Sequence, residues 1–383
     1  MIALISLSGR RTSMAHTNQL HESVPNISIQ NGTIIGNRYE LVRQIGSGSF
    51  GDVWEAFDLL NGHLRVAVKL LHAGRSASEV RTRFARECSA LELLIPNQHI
   101  VAIRERGIHV DRDYMVMELL EGPTLKEWLH GGGATKLPDV AVVISILEQI
   151  CEGVAAAHSV KSPGPIVHRD LKPENIILLP IVEARQPSFQ AKILDFGLAR
   201  LGDSRISFLG QQLGTPLYMA PEQVLGEERD IGPWTDVFAL GVILIEMLTL
   251  KPTGPEERSL RGMVAKLGKR TALRFLEQQR TDVPLWLWEV ALRALSTQFR
   301  ERFQDADEML TAIRTARRNE SMNHPNLYQH LKASPMTRQI IAATMGVLLG
   351  VGGMKIATMF TSSTPSCACV NNDSLSMCAP APP

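Results

Sequence analysis

"IVHRDLKPENIILL", Ile166–Leu179, sets a dense polar cluster between two apolar runs. The flanks can be buried and held, so His168, Arg169, Asp170, Lys172 and Glu174 are presented from a rigid base, and loops of that kind usually carry chemistry. Outward from it, "KILDFGLAR", Lys192–Arg200, places a carboxylate, Asp195, between an apolar strand and Phe196-Gly197. Upstream, "RQIGSGSFGDVWEA", Arg43–Ala56, packs Gly46, Gly48 and Gly51 into six residues between apolar positions. A backbone so bare lets amide groups approach an anion where a Cβ would collide.

Three readings compete for the glycine stretch. A P-loop ends in Gly-Lys-Ser/Thr, but Gly51 is followed by Asp52 and Val53, so that reading fails. A dinucleotide fingerprint needs its third glycine to open a helix, whereas Gly51 opens an aromatic and β-branched run toward Asn61-Gly62. What remains is Gly-x-Gly-x-x-Gly-x-Val on a β-hairpin that covers a nucleotide, or plain tight turns. "VAVK", Val66–Lys69, ends a strand with Lys69 in an apolar run, where an unpaired ammonium is costly to bury. Glu87, three residues after Phe84 and four before Leu91, shares the apolar face of the next helix and can pair with Lys69. The alternative leaves both as solvated surface charges.

With 383 residues and 44 % apolar content, the chain can build a large core and hold two or three domains. A net charge of +1 gives no global field to draw nucleic acid, and no basic tract with interleaved aromatics is present, so no nucleic-acid partner is expected. Cys88 and Cys151 fall in periodic apolar segments, and Cys367, Cys369 and Cys378 lack CxxC spacing, so none points to a metal. Strands are predicted over Tyr39–Ile45, Asp52–Leu60 and Leu64–Leu71, the last two joined at Asn61-Gly62, with another inside Asp113–Gly122. Between them Ser76 and Glu79 fit a capping box, and Phe84, Cys88 and Leu91 recur at helical spacing. Val140–Ser159 and Asp236–Leu250 read as helices, the second buried and too short to cross a bilayer. Strands first and helices after give an α+β class, a small sheet lobe joined to a larger helical one.

Residues before about 36 are polar apart from Met1–Leu7, too short for a span and without a cleavage pattern, so no secretory signal is expected; Met14 is a second candidate start. "QIIAATMGVLLGVGGMKIATMF", Gln339–Phe360, is long enough to cross a membrane. A central lysine such as Lys355 costs about 2.5 to 3.5 kcal/mol on the insertion scale, less near an end where it can snorkel. Arg314, Arg317, Arg318, Lys332 and Arg338 precede it and would keep the large domain in the cytoplasm. Gly346 and Gly350 make a GxxxG, which leaves a homodimer open. The other reading is a glycine-rich tail that spans nothing. From residue 361 the chain is small, polar and proline-rich, which predicts no fixed structure.

The set His168-Arg169-Asp170, Asn175, Asp195-Phe196-Gly197 and Ala220-Pro221-Glu222, behind the glycine hairpin and VAVK, resembles the protein kinase family over Tyr39–Arg314. Lys172 and "GTPLYMAPE", Gly214–Glu222, are similar to its serine/threonine branch, and the whole to bacterial receptor-like (eukaryotic-type) kinases. The resemblance implies a bilobal protein kinase fold, an antiparallel sheet N-lobe with one helix (39–119) and a larger, mostly helical C-lobe (120–318). Around it would lie a polar extension 1–38, a linker 319–338, a candidate transmembrane helix 339–360 and a tail 361–383. It implies transfer of the ATP γ-phosphate to Ser/Thr hydroxyls of protein substrates, with autophosphorylation, and Mg2+ or Mn2+ as the metal.

By the same resemblance, Gly46, Gly48 and Gly51 would cover the phosphates, Lys69 would grip the α and β groups, and Glu87 would hold Lys69. Asp170 would accept or orient the substrate proton, Lys172 would neutralise the γ-phosphoryl, and Asn175 and Asp195 would hold the metal. Ile45, Val53, Ala67 and Ile177 would enclose the adenine, Glu118 and Leu120 would bind its edge, and Met117 would line the back. Arg169 would receive a phosphate from Ser204, Ser207 or Thr215, Thr215 would also touch Asp170 and Lys172, and Arg302 would pair with Glu222. Two departures stand out, a long stretch between Asn175 and Asp195 and Phe299 where the family usually has proline. A catalytically silent, ATP-binding, membrane-anchored signalling scaffold is the rival reading, and a kinase for small molecules is disfavoured by Gly214–Glu222.

Overall fold

The computed structural model describes residues 29–48, 51–72, 78–131, 137–182, 188–196, 217–251 and 269–323. The chain divides into two units, Met1–Ala316 and Arg317–Pro383. All site residues belong to the first.

An antiparallel sheet opens the fold: β1 (Ile34–Ile35), β2 (Tyr39–Ser47), β3 (Gly51–Asp58), β4 (Leu64–Leu71), β5 (Ile103–His109) and β6 (Arg112–Glu118), in the order β1-β2-β3-β4-β6-β5. Alternation sorts its residues into two cores. Tyr39, Leu41, Trp54, Ala56, Val68 and Leu70 pack on one face, while Ala67, Leu71, Met115 and Met117 join the large core with the helix on the other. That helix, α1 (Ser78–Leu93), buries Phe84, Cys88 and Leu91 as their spacing predicts. Its expected cap, Ser76, lies outside the described residues.

Three differences from the predicted strands have local causes. β3 ends at Asp58, not Leu60, because Asp58 turns the chain by accepting the Leu60 amide on its side chain (3.2 Å) and the Asn61 amide on its carbonyl (3.2 Å). The left-handed pair there is Gly62-His63, φ +60° and +57°, one residue later than Asn61-Gly62. β5 was not predicted at all. It is an edge strand rich in charge, and its turn, Val110-Asp111 (φ +44° and +64°), uses left-handed backbone without glycine. Arg81 braces that turn through the Asp111 carbonyl and carboxylate, 2.6 Å each.

The helical part follows: α2 (Leu125–His130), α3 (Val140–His158), the hairpin β7 (Ile176–Pro180) and β8 (Phe189–Ile193), then α4 (Pro221–Leu225), α5 (Pro233–Thr249), α6 (Lys269–Gln279), α7 (Leu285–Ala294) and α8 (Ala306–Asn323). α5 begins three residues before the predicted Asp236, because Pro233 suits the first helical position. The long stretch between Asn175 and Asp195 forms the β7–β8 hairpin and its connection. Phe299 stacks on Trp234, ring centroids 5.3 Å apart, so it fills its place as an aromatic partner.

Among the described residues, α3 is the helix long and apolar enough to cross a membrane, and it buries Val143, Leu147, Ile150 and Val154 in the core instead. Gln339–Phe360, the linker before it and the tail after it lie outside the described residues.

Candidate active site

Lys69 is the centre from which the site can be built. On β4 it stands opposite Val53 of β3 and Met115 of β6, and an ammonium there must find anions. It finds two, Glu87 Oε1 on α1 and Asp195 Oδ1 just after β8, each 2.8 Å from Nζ. Burial opposes the charge on Lys69, but the two carboxylates outweigh it and raise the pKa. One cation cannot compensate two neighbouring anions equally, and Glu87 is the more buried of the two, its side chain 10 % exposed against 47 % for Asp195. Burial would raise Asp195, yet the Lys69 ammonium holds its carboxyl below the ordinary value, whereas burial pushes Glu87 up to about 7.

The loop of Asp170 is strapped from below. Asp236 of α5, 1 % exposed, accepts the backbone amides of His168 (2.7 Å) and Arg169 (2.9 Å) and the Nε2 of His158 (2.9 Å). The Ala306 amide donates to His158 Nδ1 (3.2 Å), which fixes the proton on Nε2. Burial would raise Asp236, but the bond from His158 and the amides hold it below the ordinary carboxylate value. A carboxylate inside an apolar helix demands such partners, a signal in the sequence that could have marked Asp236 as part of the site.

Above these straps, Arg169 adopts left-handed backbone (φ +64°) and its carbonyl accepts from Gln223 Nε2 of α4 (2.8 Å). Asp195 is left-handed too (φ +45°). Such backbone in a non-glycine residue is held by its surroundings and clusters at functional sites. Lys172 Nζ meets Asp170 Oδ2 at 2.7 Å, and Asn175 Nδ2 donates to the Asp170 carbonyl at 2.8 Å. The Leu194 amide bonds the Asn175 carbonyl (2.8 Å), and His168 Nε2 bonds the Leu194 carbonyl (2.9 Å), so Asp195 is tied beside the same loop. Asn175 and Asp195 thereby offer an amide and a carboxylate, hard oxygen donors that fit a divalent cation held against phosphates. Among the described residues no three His, Cys, Asp or Glu side chains form a metal cage, and a cation of that kind needs none.

Ala67 and Met117 are buried in the large core, with Val53 and Leu120 packed against it, and Ile45 is 40 % exposed at the open edge. Ile177 sits under the connector after β6, where Thr124 bridges to it and the Leu178 amide bonds the Pro123 carbonyl (2.9 Å). The Glu118 amide is engaged by the Ala102 carbonyl (3.0 Å), which leaves Leu120 as the amide donor of that pair. Glu118 also pairs with Lys192 (2.6 Å), a contact the sequence reading missed.

The three glycines divide by cause. A Cβ on Gly51 would collide with the Leu70 carbonyl of β4, whereas one on Gly46 or Gly48 would meet atoms only at 3.8 and 3.6 Å, ordinary contact. The protein itself therefore explains Gly51 but not the other two. Arg302 binds Glu222 through its two terminal nitrogens, Nη1 at 2.7 Å and Nη2 at 2.9 Å. The described residues leave Arg169 Nε without a hydrogen-bond partner, and burial draws its pKa down. Gly197, Ser204, Ser207, Gly214 and Thr215 lie outside the described residues.

A family model described as "Protein kinase domain" matches residues 39–326. The probable serine/threonine-protein kinase PknB of Lactococcus lactis is 30 % identical over 291 residues, 75 % of this chain and 43 % of its own length. Serine/threonine-protein kinase A of Synechocystis is 33 % identical over 288 residues, 73 % of this chain and 53 % of its own. The chain thus spans about half the length of these curated relatives. The crystal structure of the Mycobacterium tuberculosis PknI kinase domain superposes with a TM-score of 0.56 at 22 % identity, covering 76 % of this chain and 99 % of that one, a likeness of fold.

Proposed function

The chain belongs to the protein kinase family, and we propose that it transfers the γ-phosphoryl group of ATP to serine and threonine hydroxyls of proteins, its own included. The observation that carries this reading is the bridge of Lys69 to both Glu87 and Asp195, beside a loop that holds Asp170, Lys172 and Asn175 together. Transfer of a phosphoryl group spreads charge over oxygens, so the protein contributes mainly position and electrostatics.

Gly46, Gly48 and Gly51 keep the hairpin over the phosphates free of side chains; no packing forbids a Cβ on Gly46 or Gly48, and the Gly48 amide is itself held by the Gly51 carbonyl. Lys69 grips the α and β groups, and Glu87 holds it there. Asp170 takes or orients the hydroxyl proton, with Lys172 beside it to neutralise the γ group. Asn175 and Asp195 are the residues for magnesium, which when bound neutralises charge on the phosphate oxygens. Val53, Ala67 and Ile177 enclose the adenine against Met117 with Ile45 at the open edge, while the Leu120 amide and the Glu118 carbonyl meet its edge. Arg169, half buried and with Nε unpartnered among the described residues, suits a phosphate on the segment after Asp195.

The silent-scaffold reading is not favoured, since Lys69, Asp170, Asn175 and Asp195 are all present and brought together. The test incubates the purified full chain with labelled ATP, magnesium and a generic basic protein. Asp170→Asn is expected to lower transfer by about 10²- to 10⁴-fold; equal labelling by both forms would defeat the proposal.

Residues 39–318 form the catalytic domain in this reading, and 339–360 anchors it with the kinase in the cytoplasm. Cell fractionation is expected to leave the chain in membranes after an alkaline wash, and a deletion of 339–360 to release it. Release of the intact chain by the wash would remove the anchor.

A further inference from the structure

We propose that Asp52 is a positioning residue that clamps the phosphate-covering hairpin from its outer face. This rests on the phosphoryl-transfer reading and adds to it a residue that touches no substrate. Residues of β3 alternate between the faces of the sheet. Val53 packs toward the large core beside Ala67 and Met117, and Trp54 packs into the outer cluster with Leu70, so Asp52 points outward with Trp54.

Two side-chain donors of β2 and the imidazole that follows β4 converge there on one oxygen, Asp52 Oδ1. They are Gln44 Nε2 of β2 at 2.9 Å, Ser47 Oγ of β2 at 2.7 Å, and Nε2 of His72, next after β4, at 3.3 Å. Gln44 Nε2 also reaches the Gly46 carbonyl at 3.4 Å. Ser47 is the residue between Gly46 and Gly48, and it pairs across the ladder with Asp52. Beyond that pair one backbone bond, Gly48 amide to Gly51 carbonyl (2.9 Å), closes the ladder.

The arrangement answers a physical need. β2 and β3 are irregular here, with a register shift between Gln44 and Gly46, and glycine carries more backbone freedom than any other residue. Freedom kept until the nucleotide arrives must be lost on binding, which weakens affinity, whereas a clamp made beforehand removes that cost. Asp52 supplies it on the face away from Lys69, leaving the inner face bare for phosphate.

The test measures ATP affinity by calorimetry, with KM and kcat, on the full chain. Asp52→Ala is expected to raise both Kd and KM for ATP about three- to tenfold, with kcat within about twofold of wild type. Asp52→Asn, whose side-chain oxygen still accepts, is expected within about twofold of wild type, and Ser47→Ala to move in the direction of Asp52→Ala by less. Should Asp52→Ala fail to fold, the pair Gln44→Ala and Ser47→Ala opens the same clamp and carries the same expectation. Unchanged affinity in Asp52→Ala overturns the inference. So does an equal shift in Asp52→Asn and Asp52→Ala, because that would mean the charge acts and not the hydrogen bonds. Failure of the wild type to bind ATP overturns the phosphoryl-transfer reading and this inference together; wild-type binding with an unshifted Asp52→Ala overturns this inference alone.

Discussion

Lys69→Met is expected to lower kcat/KM for phosphoryl transfer by about 10²- to 10⁴-fold, the scale on which a preorganised charge aimed at the transition state acts. Two effects add. The phosphates lose their cation, and Glu87 and Asp195, each 2.8 Å from the lost ammonium, face each other without it. Two neighbouring carboxylates cannot both stay ionised cheaply, so Glu87, already pushed up by burial, takes up a proton, and Asp195 loses the cation that fixes its place. Steady-state kinetics with calorimetry of ATP and magnesium checks this, and a loss below tenfold would show that Lys69 is peripheral.

The same trio sets a pH dependence of stability in the absence of nucleotide. Glu87, ordinarily near 4.5, is pushed up to about 7 by burial. Between those values the folded chain holds a proton that the unfolded chain has released, so this group makes stability fall as pH rises from about 4.5 to 7, and its effect is flat above. Asp195 acts oppositely, since its pKa is lowered; its stabilisation is present above the ordinary carboxylate value and lost toward acid. Glu87→Gln removes the first slope. Denaturant midpoints at pH 5 and 8 should therefore differ less in Glu87→Gln than in wild type.

Much of this site could be read along the chain, because its chemistry sits in short segments whose flanks are apolar. Lys69 and Glu87 were paired from an apolar run and a helical spacing, and they are 2.8 Å apart. Legibility failed where partners are remote in sequence. The Asp236 carboxylate reaches back 68 residues to the His168 amide, and neither periodicity nor composition ties the two. Asp195 joining Lys69 is likewise a product of β8 docking at Ile100, not of any local pattern. The edge strand β5 escaped for a different reason. It shows no apolar alternation, with Ile108 outward and Glu105 on the partly buried side, and its turn includes Val110, a β-branched residue that disfavours positive φ, with Arg81 supplying from α1 the bonds that hold it.

Arg302→Met is the substitution expected to cost the most stability, about 3 to 5 kcal/mol, because it leaves the Glu222 carboxylate buried without its counter-ion. Arg302 is 1 % exposed and Glu222 3 %, and the guanidinium also donates to the Ser296 carbonyl (2.8 Å) and lies 4.9 Å over the Phe238 ring. Glu222→Gln should be milder, since the amide still accepts from Thr235 Oγ1, now 3.0 Å from Glu222 Oε1. If the charge left behind is what destabilises, adding Glu222→Gln to Arg302→Met should recover part of the loss, and strict additivity of the two would refute that cause. Chemical denaturation of the four forms measures it. The pair is far from the phosphates, yet it holds the start of α4, whose Gln223 binds the carbonyl of Arg169. Transfer activity should therefore fall in Arg302→Met even where the folded fraction is restored, because α4 props the left-handed backbone that presents Asp170.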